Sequence, residues 1–333
     1  MEKEVTMINM SVNYMGLSLK NPLIASSCSL SHSAEGVKRL ADAGVSAVVL
    51  KSLFEEQILI EAQDIEQSSA LTGHPEELDY IRQIGMTQRS DEYLRIIEKA
   101  KELVTIPIIA SINCISDRKW TEYAKYIEAV GADGLELNIA LLPKYLDNDP
   151  AAIEKQVCNI VSIVKHNVNI PIAVKLGPYF TSIPQIARKV RESGASAIVL
   201  FNRFYQPDFD IEKFELESKN RYSSPGEMYN TLRWMSILYQ KTGGSLIANT
   251  GIHDGEAMVK QLLAGATAVQ VASTLYINGL GQVQEMLYYL KEWMIRHEYR
   301  NIDDFRGLIS QKNSLQPDYF ERQQYIRALV GVE

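Results

Sequence analysis

Two short apolar patterns alternate along this chain. In the first, an apolar run ends in a polar residue: "NPLIAS" at 21–26, "IPIIAS" at 106–111, "IPIAVK" at 170–175 and "GSLIANT" at 244–250. In the second, a glycine closes a helix, a small residue turns the chain and a buried strand follows. It occurs as "AGVSAVVLK" at 43–51, "VGADGLELN" at 130–138, "SGASAIVLFN" at 193–202 and "AGATAVQVAS" at 264–273. Their strict alternation predicts eight strands. Helical spacing fills the gaps between them. Tyr93, Ile96, Ile97, Ala100 and Leu103 share one face, as do Trp120, Tyr123, Ala124, Ile127 and Val130. Val283, Met286, Leu287, Leu290, Trp293 and Met294 form a third such stripe. All three read as core-facing.

Strands apolar on both faces, alternating with amphipathic helices, imply a parallel sheet covered by helices. Eight such units over roughly 250 residues predict an α/β fold of the (β/α)8, or TIM-barrel, kind. A doubly wound sheet is the alternative, but it gives no reason for eight strands in two alternating patterns. The expectation is one domain over 1–333: an N-terminal hairpin within 1–20, a barrel over 21–297 and a C-terminal extension over 298–333. Long insertions follow the second strand (54–90) and the sixth (203–225). The tail is polar and aromatic, the composition of a docking or dimer segment, so a homodimer is the oligomeric expectation.

Active sites in such barrels sit at the C-terminal ends of the strands. Standing there are Ala25-Ser26-Ser27, Lys51-Ser52, Ser111-Ile112-Asn113, Asn138, Lys175, Asn202, Asn249-Thr250-Gly251 and Ala272-Ser273-Thr274. Two lysines and four asparagines are expected to face one mouth, with no Asp, Glu or His among them. An asparagine offers one acceptor and two donors, which suits the amide-like edges of a flat heterocycle. The lysines supply charge for an anionic ligand. Hydrolysis and metal chemistry lose ground without an acid–base pair or a ligand set, and no metal is expected. Loops after the seventh and eighth strands are the usual phosphate site of these barrels, here Thr250, Gly251, Ser273 and Thr274. "SSPGEM" at 223–228 reads as a helix start, with Ser224, Pro225 and Glu227 as a capping box.

Net charge narrows the partners. At −7 the chain is a poor match for phosphate-driven nucleic-acid binding. No apolar run reaches the roughly 18 residues of a membrane span, and "MEKEVTMINM" has no signal-peptide pattern. Cys28, Cys114 and Cys158 form no disulfide framework, metal pattern or iron–sulfur spacing. A cytoplasmic protein with no membrane or nucleic-acid partner is the expectation.

With those tips in place the chain resembles the dihydroorotate dehydrogenase family of FMN-dependent (β/α)8 barrels. The resemblance rests on "LKNPLIASS", "VVLKS", "ELN", "VKLGP", the "TGI…GE…LLAGA" run and "VQVAST", in that order over nearly the whole chain. "LFNRFYQPDFD" and "PDYFERQQYI" set it apart as a divergent, dihydroorotate dehydrogenase-like member. The resemblance implies FMN as cofactor, held by Ala25, Ser26, Lys51, Ser52, Asn113, Asn138, Lys175 and Asn249. Thr250, Gly251, Ser273 and Thr274 would take its phosphate. It implies Lys175 near the N1/C2 edge of the ring, stabilising the reduced anion. Lys51, Asn138, Lys175 and Asn202 become the catalytic set, acting on dihydroorotate (to orotate, in pyrimidine biosynthesis) or a related small anionic heterocycle. The electron acceptor would be soluble.

One departure matters. The family's "ELN" is followed within a few residues by a Cys or Ser base; here the stretch is Asn138-Ile139-Ala140-Leu141-Leu142-Pro143, with Leu141 at the base's position. Leucine cannot remove a proton. Cys28 and Cys114 are the nearby candidates for a displaced base, His253 falls beside the phosphate loops, and Arg203 and Tyr205 fall on the substrate side. Two alternatives stay open: a non-redox phosphate-binding barrel enzyme with Lys175 as a Schiff-base lysine, and an FMN-binding pseudo-enzyme.

Overall fold

The computed structural model describes residues 8–58, 90–117, 119–141, 149–217 and 219–330. Eight parallel strands form the barrel: β1 (Leu23–Ala25), β2 (Ala47–Val49), β3 (Ile108–Cys114), β4 (Gly134–Ile139), β5 (Ile172–Leu176), β6 (Ala197–Leu200), β7 (Ser245–Asn249) and β8 (Ala268–Val271). Each pairs with its sequence neighbours, and β8 pairs with β1. The doubly wound alternative is excluded because β2 also pairs with β3, through Val48↔Ile108 and Val49↔Ile109, leaving no open edge. A short strand at Leu53–Phe54 pairs in parallel with the C-terminal end of β3.

Eight helices cover the barrel: α1 (Ala34–Ala43), α2 (Ser90–Leu103), α3 (Tyr123–Ala129), α4 (Pro150–Asn167), α5 (Ile183–Glu192), α6 (Met228–Leu238), α7 (Gly255–Ala264) and α8 (Gln282–Arg296). The expected faces are buried: Tyr93, Ile97 and Ala100; Tyr123, Ala124 and Ile127; Val283, Met286, Leu287, Leu290 and Met294. Leu103, expected inside, is 45 % exposed at the last position of α2. The "SSPGEM" stretch opens α6 as expected, with the Glu227 carboxylate accepting from the Ser224 N–H at 2.7 Å. Most of the insertion after β2, together with Leu142 and Pro143, lies outside the described residues. The insertion after β6 contains an antiparallel hairpin, Asp208–Asp210 with Glu215–Glu217. Beyond α8 the tail ends in a helix, Phe320–Val330, that buries none of its residues.

The N-terminal hairpin pairs Val12–Tyr14 with Leu17–Leu19. It plugs the bottom of the barrel: the Met15 N–H donates to Ser245 Oγ at the start of β7, and the Met15 methyl lies against Gly134 at the start of β4. Tyr14 is fully buried and its hydroxyl has no protein partner. A buried hydroxyl without a partner keeps its desolvation cost. Tyr14→Phe should therefore stabilise the protein by about 1 kcal/mol, read as a higher urea midpoint at unchanged slope.

Candidate active site

Strand alternation sets the inner wall. Side chains two apart on a strand share a face, so Glu136 and Asn138 of β4 point the same way. Asn138 stands in register between Asn113 of β3 and Lys175 of β5. No acid was expected among the strand tips, and one stands just below them, inside β4. Glu136, fully buried, is 2.8 Å from Lys175 Nζ, itself 4 % exposed. Its other oxygen accepts from Gln270 Nε2 of β8 at 2.6 Å. Gln270 Oε1 accepts from Ser26 Oγ at 3.1 Å, and Ser26 Oγ accepts from Lys175 Nζ at 3.3 Å. The four side chains close a ring across β4, β5, β8 and the end of β1. A buried charge persists where it is paired and its remaining valences are met.

Above the ring lies a cavity of about 450 Å³. Its wall includes Ser26, Cys28, Lys175, Asn202, Asn249, Thr250, Gly251, Gln270 and Ser273, with Arg203 and Arg221 toward the rim. No acidic residue lines it among the described residues. The Asn202 backbone N–H donates to Leu176 O at 2.8 Å. Thr250 and Gly251 form the turn after β7, with φ of +77° and +75°. At Gly251 a Cβ would fall 2.3 Å from the Met228 backbone nitrogen, so only glycine fits. Asn249 Nδ2 and Thr250 Oγ1 both donate to Phe201 O, fixing β7 to the end of β6.

The structure divides the remaining expected residues. Lys51 is exposed and does not line the cavity: the chain leaves β2 turning outward toward Leu53–Phe54. Ser52 lies behind the wall, its hydroxyl bridging Ser27 Oγ and Ser111 Oγ at 3.0 and 2.8 Å. Asn113 and Asn138 are half-buried neighbours that do not line the cavity, and Ala25 is fully buried in β1. Thr274 is also fully buried, its hydroxyl donating to His253 O. Ser273 Oγ lines the cavity but already accepts the Ser223 N–H at 2.9 Å. His253 packs against Ser223 Oγ at 3.2 Å rather than standing free. Arg203 forms a 2.7 Å ion pair with Glu227; although burial pushes that carboxyl up, Arg203 and the Ser224 N–H hold it below the ordinary range. Tyr205 is 71 % exposed.

The displaced-base candidates fare poorly. Burial pushes the Cys28 thiol up, and burial with Glu55 and Glu56 pushes Cys114 well up, so neither is a ready base at neutral pH. Leu141 is half-buried on a separate apolar pocket of about 160 Å³, with Ile139, Tyr179, Phe180 and Phe204 among its walls. Ile139 and Leu141 thus face a pocket with an aromatic wall rather than the Lys175 cavity.

Residues 9–294 match the dihydroorotate dehydrogenase family. The chain belongs to that family. Its relatives include the catalytic subunit of a dihydroorotate dehydrogenase B (NAD(+)) from Thermoplasma volcanium, 27 % identical over 91 % of this chain and 99 % of the relative. The corresponding subunit from Methanosarcina mazei is 29 % identical over 88 % and 93 %. A dihydroorotate dehydrogenase A (fumarate) from Limosilactobacillus reuteri is 25 % identical over 81 % and 89 %. This chain is thus a divergent member of an oxidoreductase family. Among the described residues no helix is long and apolar enough to cross a membrane, and no His/Cys/Asp/Glu group could hold a metal ion.

Glu136 and Gln270 were missed by sequence reasoning because both sit inside apolar runs that read as plain strand. One signal was available: Glu136, Lys175 and Gln270 are each a lone long polar side chain within a buried strand. Residues that costly to bury mark an inner wall facing a partner or ligand.

Proposed function

We propose that the protein binds FMN in the cavity above the Lys175 ring and oxidises dihydroorotate, or a related small anionic heterocycle, passing the electrons to a soluble acceptor. The observation that carries this reading is Asn138 Oδ1: a buried amide oxygen with no protein partner, one register step from Lys175. An orphaned buried acceptor asks for a donor from a ligand, and a heterocycle with N–H and C=O edges supplies one. The cavity's size, the lack of acidic side chains among its described lining residues and its glycine turn fit a flavin with its phosphate end toward Thr250, Gly251 and Ser273. Bound FMN would supply the two-electron acceptor.

The chain's own residues have a limited task in that chemistry. Oxidising a CH–CH unit removes a hydride from one carbon and a proton from its neighbour. Lys175 and Asn138 would hold the heterocyclic ring, and Asn202 would orient the substrate above it. Lys51, exposed beside the mouth, would attract an anionic substrate rather than touch the ring. No described side chain takes the base's place, and that favours a second reading: an FMN-binding member that does not turn over dihydroorotate.

One experiment separates these readings. The purified protein should be yellow with about one FMN per chain, and excess dihydroorotate added anaerobically should bleach it. A yellow protein that stays yellow would support the second reading. A colourless protein that refuses FMN would sink both and return Lys175 to Schiff-base chemistry, which borohydride trapping would report.

A further inference from the structure

Lys175 has three N–H donors. Glu136 Oε1 pairs with Nζ as an ion pair at 2.8 Å and Ser26 Oγ accepts one hydrogen bond at 3.3 Å, which leaves donor capacity for the cavity that Lys175 lines. The directions around the ring are fixed by chemistry. Gln270 must turn its NH2 toward Glu136, because a carboxylate only accepts; its oxygen therefore faces Ser26, whose proton points to it. Ser26 is left with a lone pair toward Lys175. No member is more than 4 % exposed, and the ring carries one positive and one negative charge. Tyr14 and Tyr93, the phenols near Glu136, are both pushed up, chiefly by burial and less by Glu136, with a backbone hydrogen bond at Ser111 opposing this at Tyr93, so neither supplies a compensating charge.

Resting on the flavin reading above, we infer that Glu136, Gln270 and Ser26 are positioning residues that hold Lys175 as one aimed donor within an electrically neutral ring. Glu136 then offsets the charge of Lys175 as felt by any ligand above it. The bound ring receives an oriented hydrogen bond without a net positive field, and the balance of Glu136 against Lys175 sets how readily that ligand accepts negative charge.

The charge count gives opposite signs for two near-isosteric variants. Glu136→Gln takes the ring from neutral to one positive charge, and Lys175→Met takes it to one negative charge. A unit charge several ångströms from the ligand at an effective dielectric of about 20 is worth more than a factor of ten in equilibrium. The reduction equilibrium of the FMN-loaded protein, measured by anaerobic titration against reference dyes, should shift at least tenfold toward reduced flavin in E136Q. That is about 30 mV for a two-electron couple. It should shift the opposite way in K175M, and the double variant should return to within about threefold of wild type. Where K175M does not fold, the sign in E136Q decides: an upward shift supports the neutral ring, and no shift or a downward one overturns it. Wild-type protein that takes up no FMN would instead overturn the flavin reading on which the inference stands.

Discussion

Lys175→Met should cost the protein about 3–5 kcal/mol of folding stability, the cost typical of breaking one half of a buried ion pair. Methionine keeps the length and most of the volume of the stem, so packing loss is small. What remains is Glu136, fully buried, with one oxygen still held by Gln270 and the other without its cation. That uncompensated charge carries the penalty. Urea unfolding should show a much lower midpoint, and Glu136→Gln in the same chain should recover a large part of it, because removing both charges is often close to neutral. A single variant within about 1 kcal/mol of wild type would mean that solvent reaches the pair.

Gly251→Ala should be nearly as damaging, and for a reason unrelated to charge. The residue sits at φ +75°, directly after Thr250 at φ +77°. An alanine pays the left-handed strain, and its methyl would meet the Met228 backbone nitrogen at 2.3 Å. Backbone cannot yield as a flexible side chain does, so the turn and the start of α6 must separate. The expected loss is about 3 kcal/mol or more, with FMN uptake falling at least tenfold as the cavity wall opens. Equal flavin titrations for wild type and variant would show that this turn does not form part of the binding wall.

The barrel was legible because its evidence is local. "AGVSAVVLK" and "AGATAVQVAS" contain a helix end, a turn and a strand within ten residues, and Gly44 and Gly265 do cap their helices in the left-handed region. The strand-end positions of Asn138, Lys175, Asn202 and Asn249 were legible for the same reason. What the sequence hid was non-local. Glu136 and Gln270 are 134 residues apart, and Ser26 and Gln270 are 244 apart. Nothing along the chain announces that they meet. Lys51 and Thr274 lie off the cavity wall for a different reason: position at a strand end says little about the direction of a side chain, exposed at Lys51 and buried against His253 O at Thr274.

The closed ring also has a consequence for the order of events during synthesis. Glu136 and Lys175 lie on adjacent strands and can meet as soon as the fifth strand has left the ribosome. Gln270 arrives only with the eighth, and Ser26 then needs that strand beside the first. A nascent chain therefore holds a half-satisfied pair of charges until the last strand docks. Any ligand that depended on the completed ring would find its site only after the eighth strand had docked beside the first, so its binding would report that the two ends of the barrel have met.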